Sequence, residues 1–330
     1  MAAGRMRAVQ IAAPGRIDEV RVAIPRPAPG QVLLRVHACG VCRTDLHLLD
    51  GEVDIPAPPV IPGHQIVATI ADGEEAGLRV GVPWLAWACG ECGYCRRGQE
   101  NLCPRARFTG RDVDGGFAEY AVAERAFCLE LPASYGDLEV APLLCGGLIG
   151  YRALRIAGDG ECVGLYGFGA SAHILAQVIR AQGRRVFAFT RDGDEGTQEF
   201  ARGLGAEWAG GSSQAPPVEL DCALVFAAAG ELVPAALRAV RRGGSVVCAG
   251  IHMSEIPAFP YEVIWGERVL RSVANLTRRD GRELLELAAA TPIRTAVSVY
   301  GLADAATALN DLRAGRFDGA AVIDLAVERT

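Results

Sequence analysis

No excess of basic residues runs through this 330-residue chain: 33 Lys and Arg stand against 39 Asp and Glu, a formal net charge of −6. That balance supplies no broad electropositive footprint, so neither nucleic acid nor an anionic membrane surface is expected as a partner. Long apolar runs are missing as well. The most apolar stretch, "APLLCGGLIGYRAL", is short and interrupted by glycine, which argues against a membrane span. The N-terminal "MAAGRMRAVQIAAPG" has no extended apolar core and no cleavage pattern. A secretory signal is therefore not expected, and the chain is expected in the cytoplasm. Repeats, low-complexity tracts and long linkers are absent too. Half of the residues are hydrophobic and 22% charged, a globular composition, and the length suffices for two packed cores.

Cysteine, by contrast, is plentiful, with eleven residues. A reducing compartment disfavours stable disulfides, and an odd number cannot all pair internally. Cys128, Cys162, Cys222 and Cys248 lie in apolar runs and read as core residues. The loop "CGECGYCRRGQENLC" places Cys89, Cys92, Cys95 and Cys103 at C-x2-C-x2-C-x7-C. Four thiolates at such short spacings match a closed, tetrahedral structural zinc site. An iron–sulfur cluster is the rival, since Cys103 precedes Pro104. Its last spacing is wrong for the ferredoxin run, and no second cysteine motif accompanies it.

The first 150 residues alternate short strand-like runs such as "QVLLRVHA" and "HQIVATIAD" with turn signals, which predicts a mostly β domain. From about residue 155, strands alternate with helices, the pattern of a doubly wound parallel sheet. The tail from about 295 reads as strand, helix, strand. The expected division is 1–150, completed by 295–330, with 151–294 as the second domain. Within the latter, "GLYGFGASAHILAQVIRAQGRRVFAFTRD" carries Gly167-x-Gly169-x-x-Ala172 between a strand and a helix. The first glycine permits a tight turn and the second lets backbone approach a pyrophosphate. Ala172 allows close packing of helix on strand, so a dinucleotide is expected at the helix N-terminus. The next strand ends in Thr190 and Arg191 instead of the acidic residue that binds a bare ribose. A hydroxyl and a cation suit a 2′-phosphate, favouring NADP(H). NAD(H) stays open because Asp192 follows at once.

With a hydride cofactor expected, the segment "HACGVCRTDLHLLDGE" can be read for a catalytic zinc, which takes three protein ligands and keeps one position open. Candidate ligands are Cys39, Cys42, His47, the His64 of "PGHQ" and the isolated Cys145 of "APLLC".

Taken together and in this order, "CGVCRTDLH", "PGH", the four-cysteine lobe, "APLLC" and "GFGASAH" resemble the zinc-dependent medium-chain alcohol dehydrogenase family over nearly the whole chain. The resemblance implies an α/β architecture: a GroES-like irregular β catalytic domain plus a Rossmann domain with a doubly wound parallel sheet. It implies two zinc ions per chain, the catalytic one on Cys42, His64 and Cys145, with Cys39 a neighbouring core residue. The implied activity is interconversion of a small alcohol and its aldehyde or ketone by hydride exchange with the nicotinamide. Thr44 would hydrogen-bond the substrate oxygen, His47 would relay its proton, Arg43 would contact the pyrophosphate and Asp45 would orient His64. A homodimer or homotetramer is also implied.

Two positions depart from the family pattern. Gln65 stands where a glutamate usually follows the ligand histidine, and Ala320 where many relatives carry a phosphate-binding arginine. Trp84 and Trp87 precede the cysteine lobe in a region that lines the family's substrate pocket, and either could narrow it or pack the base of the lobe. Among the other histidines, His37 is expected to be structural and His173 to belong to a helix start. Two rival functions remain: a zinc-independent quinone or enoyl reductase on the same fold, or a non-catalytic zinc- and nucleotide-binding module. The first would need the three ligands to be absent, and the second leaves the Thr44–His47 pair without a purpose.

Overall fold

A computed structural model describes residues 4–326, which divide into two compact units. The first comprises residues 4–145 and 275–326 of these, the second 146–274.

The first unit is built on a sheet in the order Val297–Gly301, Ala320–Asp324, Gln31–Val41, Ile66–Ile70, Arg79–Val82, Leu129–Glu130. Tyr120–Glu124 also pairs with Gln31–Val41. Neighbours are antiparallel except the first pair, which is parallel. Alternation is weak in these strands because several are covered on both faces. Ile66–Ile70, for example, exposes nothing beyond a half-buried Thr69. The core joins Leu34, Val36, Ile66, Val80 and Phe117 with Leu309 and Ile323 of the tail, so the last strand–helix–strand closes this unit.

The two units divide at 145/146 and 274/275, beside the expected 150 and 294. Chain connectivity passes to the second unit after Cys145 and returns at Asn275. The later difference has a clear cause. The helix Arg278–Ala290 looks in sequence like the next helix of the alternating series, but it is anchored in the first unit. Arg278 donates through its backbone N (2.7 Å) and Nη2 (2.7 Å) to the Glu100 carboxylate, and its guanidinium lies over the Phe127 ring at 4.5 Å. Thr277 and Asp280 form a reciprocal cap at the helix start, which satisfies two otherwise orphaned N–H groups.

The second unit is a six-stranded, wholly parallel sheet in the order Trp208–Gly211, Arg185–Thr190, Cys162–Tyr166, Leu220–Val225, Val240–Cys248, Val269–Ser272. In chain order this is 3-2-1-4-5-6, the doubly wound dinucleotide-binding arrangement with its switch point between the first and fourth strands. Cys162–Tyr166 is buried throughout, as a central parallel strand must be. Among the described residues no single helix is long and apolar enough to cross a membrane.

Candidate active site

The helix Arg43–Leu49 opens the site. Its N-cap is Cys42, and Asp45 closes the first turn by accepting from Cys42 N at 2.9 Å through Oδ2. The other oxygen of Asp45 accepts from Gly63 N at 3.1 Å and lies 3.4 Å from His64 Nδ1. One fully buried carboxylate thus ties the helix start to the loop that carries His64. That loop needs its glycine. Gly63 has φ +94, and a Cβ there would sit 2.4 Å from Phe117 Cδ1 and 2.8 Å from Cys39 Sγ. Cys145 arrives from a third direction, at the end of the 3-10 turn Ala141–Leu144.

The ligand atoms of Cys42, His64 and Cys145 all lie within 4.8 Å of one another. Cys42 and Cys145 bring their sulfurs to 3.7 Å. The edge of a tetrahedron with zinc–sulfur bonds of about 2.3 Å is about 3.8 Å, so the sulfur pair is already spaced for such an ion. Electrostatics agrees. Contact with Cys145 holds the Cys42 thiol well below its ordinary range, and the same contact pushes Cys145 well above it. Two sulfurs this close disfavour ionisation of both, and a divalent cation between them would relieve that. Burial disfavours a charged His64, yet the Asp45 carboxylate and the Cys42 thiolate outweigh it and push the imidazole up to about 10. The donor set therefore fits zinc. Cys39, by contrast, is wholly buried with its thiol pushed up by burial, the behaviour of a core residue.

Thr44 Oγ1 lies 3.7 Å from Cys42 Sγ, beside this cage. His47 is half-buried one turn further along, with Nδ1 2.5 Å from Glu52 Oε2, and Arg43 is exposed. Trp84 meets the edge of the His64 ring at 4.8 Å and stacks on Phe108 at 5.2 Å. Trp87 does not join it. That ring packs on the cysteine-lobe cluster, with the Arg107 guanidinium 4.9 Å above it. Trp84 lies in the bend just before the short strand Leu85–Trp87, and Trp87 ends that strand, so the two rings leave the backbone at different places. Gln65 is buried with its carboxamide against Gly40, where a Cβ would come within 2.6 Å of it. Ala320 opens the buried strand Ala320–Asp324.

The four lobe cysteines also converge within 4.8 Å. Cys92 N donates to Cys89 Sγ at 3.3 Å and Cys95 N to Cys92 Sγ at 3.5 Å, and Cys89 and Cys95 sulfurs are 3.9 Å apart. Partial burial opposes charge at Cys89, but backbone N–H groups and Arg105 draw it down to about 6. Cys95 is pushed up to about 12 by burial and by Cys92. Four sulfurs at this spacing match a tetrahedral zinc site.

In the second unit, Gly167 has φ +87, and a Cβ there would lie 2.9 Å from Ala227 N. Gly169 caps the helix Ala170–Ala181, and a Cβ there would meet nothing within 4 Å. Ala172 is fully buried. His173 sits in the first turn of that helix, its Nδ1 3.2 Å from Gly169 O. The strand Arg185–Thr190 ends where the sequence indicates, but the Thr190 hydroxyl is occupied by the protein. It accepts from Gln198 Nε2 at 3.1 Å and sits 3.0 Å from Arg191 O. Arg191 is exposed, and Asp192 accepts from Ser213 N at 3.2 Å.

Comparison with known proteins fits this geometry. The sequence pattern of the alcohol dehydrogenase GroES-like domain matches residues 28–133. The chain is 46% identical over 337 aligned positions to a Mycobacterium tuberculosis protein named "Probable alcohol dehydrogenase AdhA", covering 96% of this chain and 97% of that one. It belongs to the zinc-dependent medium-chain alcohol dehydrogenase family. An alcohol dehydrogenase of Geobacillus stearothermophilus is 36% identical, covering 91% and 93% of the two chains. The cobalt- and zinc-bound structure of a thermostable alcohol dehydrogenase from Pyrobaculum aerophilum superposes with a TM-score of 0.88 at 26% identity, covering 97% and 100%. The chain is thus an oxidoreductase that interconverts alcohols and their carbonyl counterparts with a nicotinamide cofactor.

Proposed function

We propose that the catalytic zinc is held by Cys42, His64 and Cys145, that a second, structural zinc is held by Cys89, Cys92, Cys95 and Cys103, and that small alcohols are the substrates. The convergence of Cys42, His64 and Cys145 carries this reading. Bound there, zinc supplies Lewis acidity toward a substrate oxygen, and the nicotinamide supplies the hydride acceptor or donor. The chain does the rest. Two thiolates and a neutral imidazole balance the dication. Asp45 holds the imidazole and both loop ends in place. The Thr44 hydroxyl, beside the cage, accepts the substrate proton and passes it toward His47, one helical turn away. Trp84 covers His64 and narrows the space for substrate.

NADP(H) is the preferred cofactor in this reading. Exposed Arg191 offers charge at the end of the second strand, while Asp192, the nearest carboxylate, is turned to Ser213 N. Homodimers or homotetramers are proposed through the outer strand Val269–Ser272. Tyr261, Trp265 and Val269 are 75%, 56% and 46% exposed around it, and light scattering that returned a single-chain mass would end that idea.

The deciding experiment pairs zinc content with turnover of a small-alcohol panel on NADP⁺ and NAD⁺, for the wild type and Cys145→Ala. Two zincs in the wild type, one in the variant, lost activity and a higher kcat/KM with NADP⁺ are expected. A variant that keeps both metals, or a wild type with one zinc and no turnover, overturns the ligand assignment.

A further inference from the structure

Between the strand Trp208–Gly211 and the strand Leu220–Val225, residues 212–219 form only turns and bends. A crossover in a parallel sheet normally runs a dozen residues or more and lays a helix on the sheet, because both faces of such a sheet must be covered. Here the segment is short, and Pro216 and Pro217 bar a helix from forming in it. The helix Leu232–Ala239 covers part of the same face through Val233, Ala236 and Leu237. Beside it lies a cavity of about 610 Å³, open on one side, with apolar walls from Pro216, Pro217, Val218, Ala235 and Ala239. That is room for a small organic molecule.

Two polar side chains lining this cavity are not engaged by the rest of the described chain. Tyr166 ends the strand Cys162–Tyr166 and belongs to the floor, 1% exposed, with its ring stacked on Phe189 at 4.0 Å. No described residue hydrogen-bonds its hydroxyl. Burial pushes the phenol up, so it stays a neutral O–H that can donate. Arg238, on the exposed side of the helix Leu232–Ala239, lies at the rim and pairs with no carboxylate among the described residues. The acid at the same rim, Glu219, acts on Arg241, which is bound to Asp221 at 2.6 Å. An apolar slot with a donor in its floor and an unpaired guanidinium at its mouth suits a flat ring that carries an anionic group at one end and a hydrogen-bond acceptor at the other.

We propose that this cavity is a binding site for a small aromatic monoanion, with the ring between the Pro216–Val218 segment and the helix Leu232–Ala239, the anionic group on Arg238 and the acceptor on the Tyr166 hydroxyl. The site is separate from the residues read for the cofactor, since Gly167, Gly169 and Arg191 do not line it. It is independent of the zinc ligands as well, because every residue around it belongs to the second unit. Its edge is nonetheless tied to the end of the strand Arg185–Thr190: Ser212 N donates to Thr190 O at 2.9 Å and Ser213 N to Asp192 Oδ1 at 3.2 Å. Binding must therefore be measured with the cofactor both absent and present.

The test is a fluorescence titration of the zinc-loaded enzyme with 6-hydroxy-2-naphthoate, without cofactor and with saturating NADP⁺ or NAD⁺, in the wild type, Arg238→Gln, Arg238→Lys and Tyr166→Phe. One equivalent should bind in both states of the wild type. Arg238→Gln should weaken it at least tenfold, while Arg238→Lys, which keeps the charge, should retain most of the affinity. Tyr166→Phe keeps the stacked ring and should weaken it about threefold to tenfold. The neutral probe 2-naphthol should not distinguish the wild type from Arg238→Gln. Arg238 is exposed, so its variants decide the matter if Tyr166→Phe does not fold. Equal affinity in the wild type and Arg238→Gln, or no saturable binding up to about 1 mM, overturns the proposal. Displacement of the probe by the cofactor, mole for mole, overturns it too by placing the probe at the fingerprint. If the wild type excludes the probe and light scattering shows an assembly that Arg238→Gln disperses, the face is an interface between copies of the chain and the small-ligand site falls.

Discussion

Asp45→Asn is the substitution whose cost the structure defines best. The wild-type carboxylate is fully buried and accepts from Cys42 N at 2.9 Å and Gly63 N at 3.1 Å. Asparagine keeps one acceptor and turns an NH2 toward the other backbone N–H. A charge-assisted hydrogen bond of about 1.5–3 kcal/mol is lost and a buried donor is left without an acceptor, while the cost of burying one charge is removed. The net expectation is about 2–3 kcal/mol of stability lost from the first unit, with or without metal. His64 also loses its anionic neighbour at 3.4 Å. A ligand deprived of such support binds metal about 10–100-fold more weakly. By mass action the zinc-loaded variant should lose a further 1.4–2.7 kcal/mol or so. Urea unfolding of loaded and zinc-stripped protein, with a chelator competition for affinity, separates the two contributions. Stripped protein unchanged within about 0.5 kcal/mol would refute the bracing argument, and a chelator midpoint within twofold of wild type would refute the effect on the metal.

Two further outcomes follow from geometry elsewhere. Gly167→Ala places a Cβ 2.9 Å from Ala227 N on a backbone at φ +87. The second unit should lose about 1–3 kcal/mol and the nicotinamide cofactor should bind at least tenfold more weakly, so a fluorescence titration with unchanged affinity would contradict the fingerprint reading. Glu100 is buried against Arg278. Burial opposes its charge, but the arginine prevails and holds the carboxyl below its usual range. A depressed carboxylate contributes its stability above the unfolded pKa of about 4.3 and loses it as pH falls through the folded value. Glu100→Gln should therefore cost about 2 kcal/mol at pH 7 and progressively less below about pH 4, and a penalty that grew on acidification would be inconsistent with this.

How much could be read beforehand depended on how local each feature is. The cysteine lobe was legible because one loop supplies all four sulfurs. The fingerprint was legible because its glycines and Ala172 sit in one strand–helix turn. Cys42, His64 and Cys145 could be grouped only through family resemblance, since sheet pairing and the Asp45 tie bring them together, and neither leaves a spacing in the chain. The return of the chain at Asn275 was hidden for a similar reason. The helix Arg278–Ala290 has the same amphipathic pattern as its predecessors, and its allegiance is decided by Glu100, far back in the sequence. Trp84 and Trp87 looked equivalent, but one lies in a bend against His64 and the other ends a strand on the cysteine lobe, and Thr190 ended the strand as expected with its hydroxyl turned to protein partners.

The order in which the sheet of the first unit is completed also bears on how the protein is made. The strand Ala320–Asp324 lies inside that sheet, with Ala321 to Asp324 paired against Val41 to Ala38, the residues that lead into Cys42. Until residues 320–324 have emerged from the ribosome, that stretch presents an open edge, while everything needed for the second unit has already emerged. The first unit is therefore begun before the second and completed after it, and a chain without residues 320–324 would lose a strand from the middle of the sheet.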